Sequence, residues 1–232
     1  MDICENINEV KERMANAAIK NGRNINDITL VAVSKTKPAE YLLEAQRCGQ
    51  NIFGENKVQE IVQKYDVVKG AQWHMIGHLQ KNKVKYIIDK VKMIHSLDNL
   101  ELAEEIDKRA NKNNIIMPVL IQINIGREDT KSGIYEEELD SFQQKLTDYK
   151  NILVSGIMTI PPRSDNKLKT RDYFKKTKVL FDKMKEFKAD NFNVKYLSMG
   201  MTADYDIAIE EGANIVRVGT GIFGARNYNI NK

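Results

Sequence analysis

An α/β chain folded as a single-domain (β/α)8 TIM barrel with an extra N-terminal helix is what this sequence predicts, on three observations. Short apolar runs alternate with longer amphipathic segments from end to end. Eight such runs are present. The first is followed by Ser34 to Pro38, which holds nothing like the GxGxxG turn of an open dinucleotide-binding sheet. Strand followed by helix, repeated, means parallel strands joined by right-handed crossovers. A length of 232 residues suits one such barrel, here taken as one domain over residues 1–232.

In chain order, the acidic, polar opening MDICENINEV starts a helix from about Ile3 to Lys20 rather than a secretory signal. Strand candidates follow at Leu30 to Ser34, Asn51 to Phe53, Gln72 to Ile76, Met93 to Ser96, Met117 to Asn124, Ile152 to Met158, Val194 to Ser198 and Asn214 to Val218. Between them lie helical patterns at Pro38 to Cys48, Val58 to Val68, Leu100 to Asn113, Tyr135 to Tyr149, Tyr173 to Phe187 and Ala203 to Glu211. Pro38 suits a first helical turn, and Gly49 and Gly212 suit helix ends. Pro161 and Pro162 mark a loop after the sixth strand.

Bulk properties narrow the function classes. A formal charge of +4, from 36 basic and 32 acidic residues, argues against a dedicated nucleic-acid binder. Lysines cluster at Lys81, Lys83, Lys85, Lys90 and Lys92, and again between Lys167 and Lys188. In the second cluster Phe174, Thr177, Phe181 and Met184 recur at helical spacing, so the lysines form a solvated face rather than an RNA surface. Trp73 alone makes no stacking platform. No apolar run approaches the roughly 20 residues that span a bilayer. Cys4 and Cys48, far apart and without a CxxC pairing, suit a reducing compartment. A soluble, cytoplasmic protein is expected.

Chemistry concentrates at strand C-terminal ends, where barrels carry their sites. In LVAVSKTKP, alternation puts Val31, Val33 and Lys35 on one face and Leu30, Ala32 and Ser34 on the other. An ammonium against valines loses hydration, its pKa falls, and a nucleophilic amine becomes accessible, which is what an aldehyde cofactor needs. The bland alternative is a lysine that snorkels to solvent beyond the sheet. In NIVRVGTGIFG, Ile215, Arg217 and Gly219 share a face, so a donor-only guanidinium points into the barrel towards an anion or acceptor. Its alternative is a structural ion pair with an inward carboxylate. Gly219, Thr220 and Gly221, together with Ser198, Gly200 and Thr202 of SMGMTADYD, make two small hydroxyl-bearing turns where barrels bind phosphate. His74 and His78 straddle Gly77 at a strand end and lack the helical spacing of a metal pair, so no metal is expected.

With those motifs in view, the sequence resembles the pyridoxal-phosphate homeostasis protein family, whose fold is similar to the barrel domain of bacterial alanine racemases. AVSKTKP, FGENKVQE, WHMIGHLQKNK, IHSLDN, SMGMTADYD and VRVGTGIFG carry the resemblance, collinear over nearly the whole chain. It implies pyridoxal 5'-phosphate held as an internal aldimine on Lys35. Arg217 then meets the pyridine nitrogen, Ser198, Thr202, Gly219 and Thr220 surround the phosphate, and Asn56 lies beside the ring. The family often carries tyrosine after GEN, where this chain has Lys57. INIGREDTKSG resembles the family's loop after strand five, with Lys131 at the mouth.

A donor-only arginine disfavours a proton on the pyridine nitrogen and weakens the ring as an electron sink. The expectation is therefore a cofactor carrier, buffer or regulator of vitamin B6 and amino-acid pools, with no residue assigned a catalytic role. It would be monomeric, without nucleic-acid or membrane partners, and with PLP-dependent apo-enzymes as candidate recipients. The alternative is a single-domain amino-acid racemase. That reaction needs a second acid/base on the opposite face, which a separate domain supplies in alanine racemases, and only a short segment follows Val218 here.

Overall fold

The computed structural model describes residues 2–225. Eight parallel strands close into a barrel in sequence order: β1 (Thr29–Val33), β2 (Ile52–Glu55), β3 (Gln72–Met75), β4 (Val91–Leu97), β5 (Met117–Ile123), β6 (Ile152–Thr159), β7 (Phe192–Met201) and β8 (Ile215–Val218). The seam between β8 and β1 pairs Val31 with Arg217 and Ala32 with Val218. All eight predicted strands are present. β1 stops at Val33, so Lys35 lies in a turn rather than in the strand, although the Ser34 N–H still donates to Gly54 O at 3.0 Å.

Strand alternation divides the core in two. Val31, Met93, Leu120, Met158 and Ile215 fill the barrel interior. Leu30, Ala32, Phe53, Trp73, Met75, Val216 and Val218 point outward into the larger layer beneath the helices. That outer layer is covered by α1 (Ile3–Lys20), α2 (Ala39–Arg47), α3 (Val58–Tyr65), α4 (Leu100–Lys112), α5 (Leu139–Leu146), α6 (Lys167–Glu186) and α7 (Tyr205–Glu210). α1 has the predicted bounds: Asp2 caps Glu5 N–H at 3.0 Å, and Ile3, Ile7, Val10, Met14 and Ala18 form its buried stripe.

The differences have local causes. α6 begins at Lys167, ahead of the apolar pattern, because the Asn166 side chain accepts from the N–H groups of Leu168 and Lys169. β3 and β4 are joined by a 3-10 turn, Lys81–Tyr86, instead of an α-helix. A short helix, α8 (Thr220–Phe223), follows the glycine turn after β8. Cys4 and Cys48, expected as separate thiols, are joined in a disulfide with Cα atoms 5.4 Å apart. Packing of α1 beside α2 supplies the proximity that a separation of 44 residues hid. Among the described residues no helix is long and apolar enough to cross a membrane.

Candidate functional site

Lys35 sits in the turn from β1 to α2, half-buried. Lys37 N–H donates to Ser34 O at 3.1 Å and closes the turn, and Thr36 takes φ +64°. A β-branched residue is strained in that left-handed region, so neighbours must hold it. The holding groups are charged. The Thr36 N–H donates to Glu60 Oε2 at 2.7 Å, and Lys64 Nζ donates to Ser34 O, Glu55 Oε1 and Glu60 Oε2 at 2.9, 2.7 and 2.8 Å. Ser34 Oγ donates to the same Glu55 oxygen at 2.6 Å. Lys37 Nζ reaches across to Phe223 O and Ala225 O at 2.6 and 2.9 Å, tying the Lys35 turn to the end of α8.

Inside the barrel, one layer further along the strands than the apolar plug, lie Arg217, Ser198, His95 and His74. Arg217 is 3 % exposed and has no ion pair among the described residues. The expected alternative of an inward carboxylate partner is therefore absent from this region. Its NH1 donates to Ser198 Oγ at 2.6 Å and its NH2 to Thr159 O at 2.8 Å. Burial pushes its pKa down to about 10, partly opposed by Asp204.

The chain of contacts continues inward. Ser198 Oγ, which accepts from arginine, also shares a hydrogen bond with His95 Nδ1 at 3.1 Å. His95 Nε2 in turn shares one with His74 Nδ1 at 2.9 Å. Burial holds both imidazoles neutral, lowering His74 to about 4 and His95 well below its ordinary value, with His74 and Arg217 adding to the latter.

The two phosphate-type turns meet. Thr202 Oγ1, after β7, accepts from the N–H groups of Gly219 and Gly221 at 3.3 and 3.4 Å. A Cβ at Gly219 would lie 3.2 Å from Val33 O, and one at Gly221 3.0 Å from Val218 Cγ1, so a side chain at either position would be tightly crowded. Thr220 is exposed at the rim, and α1 backs the turn through Asn6 Nδ2 donating to Ile222 O at 2.8 Å.

Of the residues singled out in sequence, Lys35, Thr202, Arg217, Gly219 and Thr220 share the β1, β7 and β8 end of the barrel. Ser198 lies deeper, bonded to Arg217 and His95 rather than to the glycine turn. Asn56 follows β2, its backbone packed so tightly on Gly77 that a Cβ there would come within 2.5 Å. Lys57 is exposed before α3. Lys131 lies in the loop after β5, its Nζ donating to Pro161 O at 3.1 Å and pairing with Glu128. His78 stands away from His74, 3.3 Å from Ser132 Oγ.

Glu55, Glu60 and Lys64 were not anticipated, although one signal was present. Lys64 falls on the buried stripe of α3 with Val58 and Ile61, where a lysine requires a partner. His95 was similarly marked by sharing an inward face with Met93.

An amine, a buried donor-only cation and a small-residue cradle thus converge. They suit a molecule with a carbonyl, an acceptor atom and a phosphate. A family described as "Alanine racemase, N-terminal domain" matches residues 5–227. The chain is 46 % identical over 230 residues to the "Pyridoxal phosphate homeostasis protein" of Aquifex aeolicus, covering 98 % of this chain and 100 % of the relative. Among solved structures, a protein from Bifidobacterium adolescentis superimposes with TM-score 0.90 at 31 % identity, covering 96 % of this chain and 94 % of its own. PipY of Synechococcus elongatus with PLP bound gives 0.80 at 30 % identity, covering 93 % and 100 %. By barrel, motifs and full-length similarity, this chain belongs to the pyridoxal phosphate homeostasis protein family, built on the alanine racemase N-terminal domain.

Proposed function

We propose that this protein binds pyridoxal 5'-phosphate at Lys35 and serves in homeostasis of that cofactor and of amino-acid pools rather than in turnover. The observation that carries the proposal is Arg217: a buried guanidinium bonded, among the described residues, only to a hydroxyl and a carbonyl, beside the Gly219–Gly221 cradle and the Lys35 turn. The name of the Aquifex relative and the PLP in PipY support the choice of ligand.

When bound, the cofactor supplies an aldehyde that condenses with a primary amine, releasing water. The protein's own part is placement. Lys35 provides the amine. Backbone N–H groups around Gly219 and Thr220, with Thr202, would receive the phosphate. Arg217, already oriented by Ser198 and Thr159 O, offers donors where a pyridine nitrogen must accept, and so keeps that atom unprotonated. The neutral His95–His74 pair adds no second charge behind it. Asn56 is assigned to the ring edge.

The same proposal makes the chain a single domain, monomeric and cytoplasmic, with apo-enzymes as recipients. Its large exposed apolar residues include Ile19 on α1, Val62 on α3, and Leu168 and Val179 on α6, eleven positions apart; single exposed side chains of this kind are ordinary for a monomer.

The test is intact mass after adding pyridoxal phosphate and reducing with borohydride, on wild type and Lys35→Ala. One adduct per chain that vanishes in the variant is expected. An unmodified wild type would remove the proposal. Amino acids incubated with the loaded protein in deuterated solvent should retain their α-hydrogen, and rapid exchange would favour a racemase instead.

A further inference from the structure

Lys35 is flanked by two residues, and one buried cluster outside the barrel wall grips both. Ser34 is held through its carbonyl by Lys64 and through its hydroxyl by Glu55, while Thr36 is held through its N–H by Glu60. Lys64 is 7 % exposed and Glu55 fully buried, and all three ammonium hydrogens of Lys64 are used, on Ser34, Glu55 and Glu60. Gly54, whose absent Cβ would meet Val31 and Ile76 at 2.8 Å, faces inward, so Glu55 faces outward towards α3. The cluster therefore touches the backbone on either side of Lys35 from behind, without entering the barrel mouth.

A fold-stabilising ion pair would not need both contacts to fall on this turn, nor one of them to fall on a strained threonine. Thr36 at φ +64° would relax into an ordinary region without the carboxylate that accepts from its N–H, and the direction in which Lys35 leaves the turn would change with it.

We propose that Glu60 and Lys64, with Glu55, are positioning residues for Lys35, fixing the turn so that its amine is presented to an aldehyde held by the glycine cradle. The proposal rests on the reading of Lys35 as the cofactor's anchor. It adds that the reactivity of the amine is set from α3, on the far side of the sheet from the phosphate turns. Glu60 is the residue to vary, because it lies on the first turn of α3 and is the least buried of the cluster.

The experiment compares wild type, Glu60→Ala, Glu60→Gln and Lys64→Met. It follows the rate of borohydride-trapped adduct formation at Lys35 with excess pyridoxal phosphate, and slowing of that rate by added inorganic phosphate. Circular dichroism reports the fold. Glu60→Ala should fold yet react about tenfold slower or more, the scale expected when a reacting group is misplaced. Glu60→Gln, which keeps an acceptor for the Thr36 N–H, should recover most of the rate. Lys64→Met should be slowed at least as much as Glu60→Ala wherever it folds. Phosphate should compete over the same concentrations in all folded proteins, since the cradle is untouched. A folded Glu60→Ala that reacts within about twofold of wild type would overturn the proposal. So would a Glu60→Ala that cannot fold, because the cluster's role would then be structural. A wild type that forms no adduct at all would instead remove the reading of Lys35 itself, a separable outcome.

Discussion

Two buried polar networks lie on opposite sides of the barrel wall near Lys35, and they are built on different principles. The inner one, Arg217–Ser198–His95–His74, has one charge linked by hydrogen bonds to three neutral side chains. The outer one, Glu55–Lys64–Glu60 with Ser34, sets the Lys64 ammonium against two carboxyl groups, of which burial pushes Glu55 up to about 7. A wall facing a ligand must leave capacity for the ligand's own polar atoms, whereas a brace behind a turn gains by using every donor it has, although Glu55 Oε2 is left without a hydrogen-bond partner among the described residues. The inner network therefore keeps a cation without a counter-ion among the described residues, and the outer one spends every hydrogen of its lysine.

The contrast is broken hardest at Lys64. Replacing it by Met strips the buried Glu55 and the half-buried Glu60 of their cation, and at pH 8, where Glu55 is ionised, should cost about 3–5 kcal/mol of unfolding free energy in urea titrations. Adding Glu55→Gln should return part of that loss, because the stranded charge is then gone. Equal stability of the single variant and wild type would show that the outer cluster is not a charge-balanced brace.

Acid titration sharpens the comparison because the two networks tilt stability in opposite directions. His74 is lowered from 6.5 to about 4 by burial, so its contribution is complete above pH 6.5 and is lost as pH falls towards 4. Glu55 is raised from 4.5 to about 7, chiefly by burial and against the pull of Lys64 and Ser34. Its contribution is present below pH 4.5 and lost as pH rises through 7. Each tilt is worth roughly 3 kcal/mol at 1.4 kcal/mol per unit, and between pH 4.5 and 6.5 they largely offset. Glu55→Gln should unmask a stability that climbs with pH, and His74→Gln one that declines. Parallel profiles for the two variants would sink this account.

Smaller effects mark the edges. Thr36→Gly relieves the left-handed threonine but loosens the unfolded chain, so its melting temperature should change by less than about 1 kcal/mol equivalent. Lys183→Ala breaks only an exposed pair with Asp140 and should stay within about 0.5 kcal/mol of wild type. A larger loss there would mean that the solvated lysine face of α6 has a structural role.

The legible parts of this molecule were those with a repeating period. Val31 and Ile215 on the inner face, and the α1 stripe from Ile3 to Ala18, follow directly from alternation and helical spacing. Arg217 was legible as an inward cation for the same reason. The outer brace was not, because Glu55, Glu60 and Lys64 meet Ser34 and Thr36 only after β1 and β2 pair and α3 packs back on them. The α6 start was missed because a single side-chain cap at Asn166 outranks the apolar pattern. Cys4 and Cys48 were misread because the contact of α1 with α2 has no periodic signature.

The bond between Cys4 and Cys48 makes a covalent ring of the chain from α1 through the end of α2, and the Lys35 turn lies on that ring. A cut at the exposed Gly22 or Asn24, between α1 and β1, would open the ring without releasing either piece. Such a nicked molecule would migrate as one species until a thiol was added, and would then shed its N-terminal helix segment.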